Sequence, residues 1–398
     1  MNKSKRLIVI DDDIQFAGLL GEIARSAGFE TELCDDARDY FLANEAYSVM
    51  VLDLNMPGMD GVEVIRQLGK TAQDIHLILI SGYDKGVLHS AEKLAQEHNL
   101  NVVGSLTKPL EMASFISMLN SIDIEKSFPV YLVESENSPI TVAEIRQAIV
   151  NNEMELYYQP QIELRTNTLK GVEALVRWHH PTRGLITPGM FISIVEKEGL
   201  MGELTSSIIN MAVNQSNEWK KTGLNITISV NVSAENITSL LLPEQLSDLI
   251  KDHGLNPQSI VLEITERALM GELKTSLDIL TRLRMKGFGL SIDDFGTGNS
   301  SLVLLHRVPF TELKIDMSFV KNMDRDLDAR AIVETCVMLS HKLNMDCVAE
   351  GVENESIRRG LTLMGCDIGQ GYLMAKPMAA SQLIEWIENN NYPISKDW

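Results

Sequence analysis

The feature that most constrains the fold of this chain is a regular alternation of short apolar runs with amphipathic stretches of helical length. Over about the first 120 residues, the amphipathic stretches include IQFAGLLGEIARSAG and KGVLHSAEKLAQEHN. The apolar runs between them predict five strands: RLIVI, TELC, SVMVLD, IHLILIS and NVVGS. Strands that alternate with helices in this way favour an α/β domain with a doubly wound, five-stranded parallel sheet.

Polar side chains stand where these predicted strands end: Asp11, Asp12, Asp53, Ser81 and Lys108. Because the carboxyl ends of parallel strands meet at one edge of a sheet, we expect the five to converge. The three carboxylates form a cage that suits an oxygen-preferring cation such as Mg²⁺. Asp53 could then attack a phosphoryl group, with Lys108 as counter-ion and the Ser81 hydroxyl as a donor. Taken singly, each is better explained as a solvated turn or a surface charge, so the prediction rests on the set.

This part of the chain resembles the response-regulator receiver family over about residues 5 to 122, in VIDDD, VLDLNMPGMDG, ILISG and TKP. The resemblance implies that a cognate sensor histidine kinase phosphorylates Asp53 and that the acidic cage holds one Mg²⁺. One position departs from the family pattern. Receivers often carry an aromatic switch residue three positions before the lysine, where this chain has Ser105. The departure puts an aromatic relay from the phosphate to the domain surface in question.

The periodicity is lost from residue 123 to about 140, in DIEKSFPVYLVESENSPI. Two prolines among polar residues in this stretch indicate an interdomain linker. We therefore divide the chain into a receiver domain over 1–122, a linker over 123–140 and a second domain over 141–398.

The second domain has eight strand candidates over about 250 residues, with helical stretches between most of them. This repeat predicts a modified, TIM-like (β/α)₈ barrel. The connection RTNTLK at 165–170 is too short for a crossover helix, so we expect an antiparallel first strand that forms a hairpin with the second. The candidates in order are LYYQPQIEL, GVEALVRW, ITISVNVS, IVLEITE, FGLSIDDF, ELKIDMSF, CVAEGVE and IGQGYLM.

Polar residues lie in or at the end of different strand candidates: Glu173, Asn231, Glu263, Asp293 with Asp294, Lys314, Glu350 and Gln370. A barrel gathers its strand ends into one pocket. Acids that converge there repel one another unless cations offset the charge, and a set of hard oxygen ligands favours Mg²⁺ or Mn²⁺ over zinc. His179 and His180 are better explained as the exposed start of a turn than as ligands. Asn231 or Gln370 alone would be better explained as a satisfied core or rim residue.

The second domain resembles the EAL family of cyclic di-GMP phosphodiesterases over about residues 141 to 390. An ordered set of motifs carries the resemblance: YYQP, EALVRW, NVS, EITE, DDFGTGNSS, LKID, AEGVE and GQGY. It implies a response regulator that hydrolyses cyclic di-GMP to linear 5′-pGpG with two metal ions. We expect phosphorylation of Asp53 to modulate this activity.

The resemblance also implies a role for each matched residue. One metal would be bound by Glu173, Asn231, Glu263 and Asp293. A second would be bound by Asp293, Asp294 and, directly or through water, Glu353. Catalysis would involve Glu350 as candidate general base, together with Lys314 and Glu173. The substrate would be contacted by Gln159, Arg177, Asp316 and Gln370. Glu266 would anchor the loop GTGNSS at 296–301, although a salt bridge at the rim explains this residue equally well.

Composition limits the partners and the compartment. The 35 basic and 55 acidic residues give a formal net charge of −20, which argues against binding to nucleic acid polymers or anionic membranes. Four cysteines without CxxC spacing, no signal-peptide pattern and no apolar run of membrane-spanning length predict a cytoplasmic protein. We expect a homodimer or a higher homo-oligomer. Two alternatives stay open: a catalytically silent cyclic di-GMP sensor, and a regulator whose receiver merely controls dimerisation.

Overall fold

The structure is a computed structural model of the chain. It describes residues 5–43, 47–71, 75–82, 85–98, 100–122, 140–269, 273–296, 302–390 and 392–394. The chain divides into two compact units, Met1–Asn137 and Ser138–Trp398. All but the last residue of the predicted linker 123–140 lies outside the described residues.

The first unit alternates strands with helices. Its strands are β1 (Arg6–Ile10), β2 (Glu30–Cys34), β3 (Val49–Asp53), β4 (His76–Ser81) and β5 (Asn101–Thr107). Its helices are α1 (Ile14–Ser26), α2 (Ala37–Ala43), α3 (Gly61–Thr71), α4 (Lys85–Glu97) and α5 (Met112–Ser121). All neighbouring strands pair in parallel, in the order β2-β1-β3-β4-β5. The predicted doubly wound five-stranded sheet is confirmed.

Burial on both faces explains why the central strands are continuous apolar runs. Along β1, Ile8 and Ile10 belong to one apolar core, whereas Leu7 and Val9 belong to the core on the other face. Successive strand residues point to opposite faces, so each face needs its own apolar set. The first polar residue after β1 is Asp11, which therefore stands at the carboxyl edge of the sheet.

The second unit is larger, and its described residues form ten strands in one sheet. They are β6 (Met154–Glu163), β7 (Thr168–His180), β8 (Gly184–Ile186), β9 (Thr227–Asn231), β10 (Ile260–Thr265), β11 (Gly289–Phe295), β12 (Glu312–Ile315), β13 (Asp346–Ala349), β14 (Ile368–Gln370) and β15 (Met378–Ala379).

Helices follow most of these strands. They are α6 (Val142–Val150), α7 (Ile192–Lys197), α8 (Met201–Lys221), α9 (Leu242–Asp252), α10 (Glu266–Leu269), α11 (Leu273–Met285), α12 (Leu302–Arg307), α13 (Met317–Asn322), α14 (Leu327–Lys342), α15 (Glu355–Met364) and α16 (Ala380–Asn390). Short 3₁₀ helices lie at Pro188–Met190, Asn236–Thr238 and Pro257–Ser259. Among the described residues, no helix is long and apolar enough to cross a membrane.

Eight of the strands close into a barrel. Strands β7 and β9 to β14 run parallel, and β6 closes the ring by antiparallel pairing with β7 and β14. The predicted modified barrel and its antiparallel first strand are confirmed. Strands β8 and β15 were not predicted, and they extend the sheet outside the ring by pairing with β7 and β6.

Several predicted strands were too long. CVAEGVE is a strand only as far as Ala349, and IGQGYLM only as far as Gln370. The stretch ELKIDMSF is a strand only as far as Ile315, and α13 begins at Met317. Asp316 ends the strand because its carboxylate accepts a hydrogen bond from the Ser318 N–H at 2.9 Å, which caps the helix. The change of direction occurs two residues after Lys314, at the carboxyl end of the barrel strands.

Candidate active site

The first unit carries a compact charged group at the carboxyl edge of its sheet. Lys108 Nζ lies 2.8 Å from Asp11 Oδ2 and 2.6 Å from Asp53 Oδ2. Asp11, Asp12 and Asp53 each have a carboxylate oxygen within 4.8 Å of the others. Ser81 is fully buried at the end of β4, the strand next to Asp53. The structure thus brings the predicted acids and the lysine together, with Ser81 at the neighbouring strand end.

The electrostatics of this group suit a cation. Burial raises the pKa of Asp11, although hydrogen bonds from Lys108 and from the Asp13 N–H oppose the rise. Burial opposes the charge on Lys108, but its contacts with Asp11 and Asp53 outweigh this and raise the pKa of the lysine. The Lys108 ammonium also lies 4.6 Å from the centre of the Phe16 ring. Three clustered carboxylates with one lysine leave a net negative charge that Mg²⁺ would offset.

In the barrel, the acids predicted from the sequence converge on Lys314. This lysine is fully buried, and its Nζ lies 2.7 Å from Glu350 Oε1 and 2.9 Å from Glu263 Oε2. Asp293 Oδ1 is 3.3 Å away and Glu173 Oε2 is 3.7 Å away. The four acids come from or directly follow four different strands, β7, β10, β11 and β13. Barrel closure therefore assembles a site from residues that are far apart along the chain.

An irregularity in β11 explains the two adjacent aspartates. Ile292 pairs with Leu313 and Phe295 pairs with Ile315, so Asp293 and Asp294 together stand opposite Lys314. This is a β-bulge, in which two residues oppose one. Asp294 has a φ of +53°, in the left-handed region. In a regular strand, neighbouring side chains would point to opposite faces. Here a carboxylate oxygen of each aspartate and one of Glu350 all lie within 4.8 Å of one another.

Burial and the proximity of other carboxylates shift the pKa values of the acids in this site. Burial raises the pKa of Glu350 to about 8, with Asp293 and Glu173 adding to the rise and Lys314 opposing it. Burial and the neighbouring Asp293 raise the pKa of Asp294 to about 6. Burial also raises the pKa of Glu263 well above its ordinary value. Lys314 stays charged because the surrounding carboxylates outweigh the effect of its own burial and raise its pKa.

Amide side chains hold Glu173 from two sides. Asn231 Nδ2 donates to Glu173 Oε1 at 3.0 Å, and Gln370 Nε2 donates to Glu173 Oε2. Gln370 Nε2 also donates to Gln159 Oε1 at 3.1 Å. Two predicted substrate contacts, Gln159 and Gln370, are therefore hydrogen-bonded to each other beside a predicted metal ligand.

Three other predicted residues are not among the acids that pair with Lys314. Arg177 is partly buried on β7, with its guanidinium 5.6 Å from the centre of the Tyr157 ring. Asp316 is the N-cap of α13. The Glu353 carboxylate pairs with Lys321 Nζ at 2.8 Å, and the close group of acids contains Glu350 and does not contain Glu353. Metal binding by Glu353 stays a prediction.

Glu266 is buried at the start of α10, on the wall of a pocket of about 680 Å³ that also borders Asn231 and Asp294. Its predicted partner loop GTGNSS has only Gly296 among the described residues, and 297–301 lie outside them. Loop anchoring by Glu266 therefore stays a prediction.

Sequence reasoning missed several buried polar residues of the barrel strands, among them Gln161 and Glu312. Both stand two residues from a predicted site residue on the same strand, Gln161 after Gln159 and Glu312 before Lys314. Because side chains alternate along a strand, a spacing of two puts them on the same face as those site residues. This spacing was the signal that could have identified them.

The residues present fit divalent cations. Lys314 supplies one positive charge to four carboxylates within 4 Å. Both carboxylate oxygens of Glu263 are buried without a hydrogen-bond donor among the described residues, although Oε2 contacts Lys314. The donor atoms are carboxylate and amide oxygens, which Mg²⁺ and Mn²⁺ prefer.

Comparison with known proteins matches both units. The EAL domain family model matches residues 142–377, and the response regulator receiver domain model matches residues 7–120. The cyclic di-GMP phosphodiesterase RocR of Pseudomonas aeruginosa is 32% identical over 338 residues, which cover 85% of this chain and 86% of RocR. The bifunctional diguanylate cyclase/cyclic di-GMP phosphodiesterase MucR of the same organism is 41% identical over 242 residues, but these cover only 35% of MucR.

Solved structures agree with the sequence matches. The Pseudomonas aeruginosa MucR phosphodiesterase in its c-di-GMP complex has a TM-score of 0.58 and 41% identity, covering 61% of this chain and 98% of that chain. The EAL enzyme Bd1971 in its cAMP- and cyclic-di-GMP-bound form has a TM-score of 0.59 and 35% identity, covering 62% of this chain and 67% of that chain. With the acids of its barrel at the strand ends and the receiver sheet preceding it, the chain belongs to the EAL domain family and carries an N-terminal response regulator receiver domain.

Proposed function

We propose that this chain is a cytoplasmic response regulator that hydrolyses cyclic di-GMP to linear 5′-pGpG. The observation that carries the proposal is the convergence of four carboxylates on the buried Lys314, with Asp294 brought alongside by the bulge in β11. The similarity to RocR, which covers most of both chains, supports the substrate.

Two Mg²⁺ or Mn²⁺ ions complete the proposed site. Glu173, Asn231, Glu263 and Asp293 would hold one ion, and Asp293 and Asp294, with Glu353 directly or through water, would hold the other. When bound, such ions stabilise the charge that develops on the attacking and leaving oxygens of a phosphodiester and acidify water. Asp294 and Glu350 would be favoured in their ionised forms by the charge of bound ions.

Glu350 is the proposed general base. Its carboxylate takes a proton from the attacking water as the water oxygen bonds to phosphorus and the bond from phosphorus to the 3′ oxygen breaks. The 3′ oxygen takes a proton from solvent, Glu350 releases its proton to solvent, and the product keeps a 5′ phosphate. Lys314 orients Glu350 through their 2.7 Å contact, and its charge lowers the cost of holding several acids together.

The substrate contacts are proposed for Gln159, Arg177, Asp316 and Gln370. Arg177 suits a phosphate because its planar guanidinium can donate two parallel hydrogen bonds. Burial lowers its pKa, which indicates a partly desolvated cation that an anionic ligand would stabilise.

The receiver is proposed to modulate this hydrolysis. A cognate sensor histidine kinase would supply the phosphoryl group, and the Asp53 carboxylate would attack it with Lys108 as counter-ion and Ser81 as donor. One Mg²⁺ held by Asp11, Asp12 and Asp53 would screen the charges. We further propose domain limits of 1–122, 123–140 and 141–398, and a homodimer or higher homo-oligomer.

Nucleotide chromatography tests the proposed activity directly. The purified chain is incubated with cyclic di-GMP and Mg²⁺, and the product is separated and compared with authentic 5′-pGpG. We expect turnover by the wild type and a loss of several orders of magnitude in Glu173→Ala, because the substitution removes a charged ligand from the site.

Circular dichroism of both proteins serves as the control for folding. Near-normal turnover by a folded Glu173→Ala variant would contradict the two-metal assignment. Binding of cyclic di-GMP by the wild type without any turnover would instead support the silent-sensor alternative.

A further inference from the structure

Gln161 lies in the barrel next to the proposed site and is not one of the predicted metal ligands, catalytic residues or substrate contacts. It is only 3% exposed. On one side it pairs across the sheet with Gln370 of β14, and on the other with Gly171 of β7. Its side chain reaches Gln370, since Gln161 Nε2 donates to Gln370 Oε1 at 3.0 Å.

The hydrogen bonds around Gln370 admit one consistent orientation of each amide. Gln159 Nε2 donates to the Ala375 carbonyl at 3.2 Å, which turns Gln159 Oε1 toward Gln370. Gln370 Nε2 then donates to two acceptors, Gln159 Oε1 and Glu173 Oε2. The side-chain oxygen of Gln370, Oε1, accepts a hydrogen bond from Gln161 Nε2. A flipped Gln370 would put its oxygen against two acceptors and its nitrogen against a donor.

Gly171 leaves the room that Gln161 occupies. A Cβ at this position would lie 3.2 Å from Gln161 Oε1 and 3.0 Å from the Thr227 carbonyl oxygen. Gly171 stands two residues before Glu173 on β7, so the same strand provides both the space for Gln161 and the proposed metal ligand.

We propose that Gln161 is a positioning residue for the metal site. By donating to Gln370 Oε1, it holds the Gln370 amide so that both Nε2 hydrogens face Gln159 and Glu173, and it thereby orients the Glu173 carboxylate. This inference rests on the proposed function of Glu173 as a metal ligand. Removing a hydrogen-bond partner of a metal ligand typically lowers metal affinity or activity by about 10-fold to 100-fold, and Gln370 is such a direct partner of Glu173.

Two substitutions separate this role from simple core packing. Gln161→Met keeps the approximate volume and removes the donor. Gln161→Glu replaces the donor with a carboxylate, so Gln370 must turn its Nε2 away from Glu173 to satisfy it. Ile162→Val is the matched control, because Ile162 is a buried neighbour on β6 that belongs to the apolar core and pairs across the sheet with Gly369.

The first measurement is the Mn²⁺ affinity of the nucleotide-free full-length protein, determined by isothermal titration calorimetry. The receiver contributes equally in every variant, so differences report on the barrel. Because Gln161 lies one hydrogen bond further from the ligand than Gln370, we expect Mn²⁺ affinity at the barrel to fall by up to about tenfold in both Gln161 variants, the lower end of that range, and to stay unchanged in Ile162→Val. The second measurement is a double-mutant cycle. Because Gln161 acts through Gln370, Gln161→Met should add no further loss to Gln370→Met.

Unchanged Mn²⁺ affinity in a folded Gln161→Met or Gln161→Glu variant would overturn the proposal. Losses that add in the double mutant would overturn it as well, since they would show that Gln161 acts independently of Gln370. These results are distinguishable from failure of the proposed function, in which the wild type itself would neither bind Mn²⁺ in the barrel nor hydrolyse cyclic di-GMP.

Discussion

The direction in which a single side chain points in the barrel depends on backbone geometry as well as on residue type. Asp293 accepts a hydrogen bond from the Asp294 N–H at 3.0 Å, and Asp294 adopts a positive φ that aspartate tolerates better than most residues. Without the bulge, only one of the two carboxylates would face Lys314. The pair is therefore a property of the strand irregularity as well as of residue type.

Glu350 should matter more for turnover than for substrate binding. Glu350→Gln keeps the shape of the side chain and removes the proton acceptor, so we expect kcat to fall about 100-fold or more while KM stays within a few-fold. Steady-state kinetics with cyclic di-GMP and Mg²⁺ measure both constants. An unchanged kcat with a large rise in KM would assign Glu350 to binding instead.

Glu312 should make the stability of the barrel depend on pH. Burial raises its pKa to about 7, even though Ser291 and Lys314 oppose the rise. The folded state therefore binds more protons than the unfolded state between the ordinary value of 4.5 and about 7. The free energy of unfolding should then fall as pH rises through this window, by roughly 3 kcal/mol from this group.

Glu312→Gln should remove this contribution, so the difference between variant and wild type should change across the window. Urea unfolding at pH 5 and pH 8 with EDTA present measures it. Tryptophan fluorescence reports on the second unit, because Trp178, Trp219, Trp386 and Trp398 all lie in that part of the sequence. A difference between the two proteins that is independent of pH would show that Glu312 does not titrate in this range.

At the scale of elements, the junction of β12 and α13 joins the site to the surrounding helices. Lys314 belongs to the strand, Asp316 caps the helix, and Lys321 in the helix pairs with Glu353 beyond β13. Gly351 has a φ of +69°, and a Cβ there would lie 2.6 Å from the Met317 Cβ. The start of α13 can pack this closely against the backbone at position 351 only because glycine has no side chain.

Two substitutions at Asp316 separate its capping role from its proposed contact with the substrate. Asp316→Asn keeps an N-cap acceptor, so we expect its unfolding free energy to stay within a few tenths of a kcal/mol of the wild type. Asp316→Ala should lose about 1 kcal/mol. Urea unfolding, monitored by tryptophan fluorescence, measures the unfolding free energy of both variants. A rise in KM for the stable Asp316→Asn variant would support the substrate contact, and equal stability of all three proteins would contradict the cap.

At the scale of the whole molecule, two compact units each carry an acidic group at the carboxyl edge of a sheet. Asp53 pairs with Lys108, and a phosphoryl group on Asp53 would add negative charge that Lys108 and Ser81 should move to meet. Ser105 stands where an aromatic relay is common in receivers, so the change at the α4-β5-α5 surface should be muted or should follow another route.

Phosphorylation of Asp53 should change the turnover number more than the metal affinity of the barrel, and we expect an increase. The GTGNSS loop is the proposed target, because it follows Asp293 and Asp294 and contains glycines. Wild type and Asp53→Ala are each treated with or without a small-molecule phosphodonor, and hydrolysis is measured at saturating substrate. Identical rates in all four samples would make the receiver a docking or assembly module.

Much of this protein follows from the sequence by itself. The alternation of apolar runs predicts both sheets, and the short RTNTLK connection predicts the antiparallel β6. The site residues could also be named, because every parallel strand brings its carboxyl end to the same edge. Acids at those ends, such as Glu263 and Asp293, therefore converge in any closed barrel of this kind.

Only the tertiary structure decided which of these residues touch. The bulge at Asp293 and Asp294, the pairing of Glu353 with Lys321 and the cap made by Asp316 all depend on local geometry that residue type does not specify. Gln161 and Gln370 are 209 residues apart, and they meet because β14 closes onto β6 in one register. Sequence patterns are local and determine which face of a strand a residue occupies, whereas contacts across the barrel depend on how the ring closes.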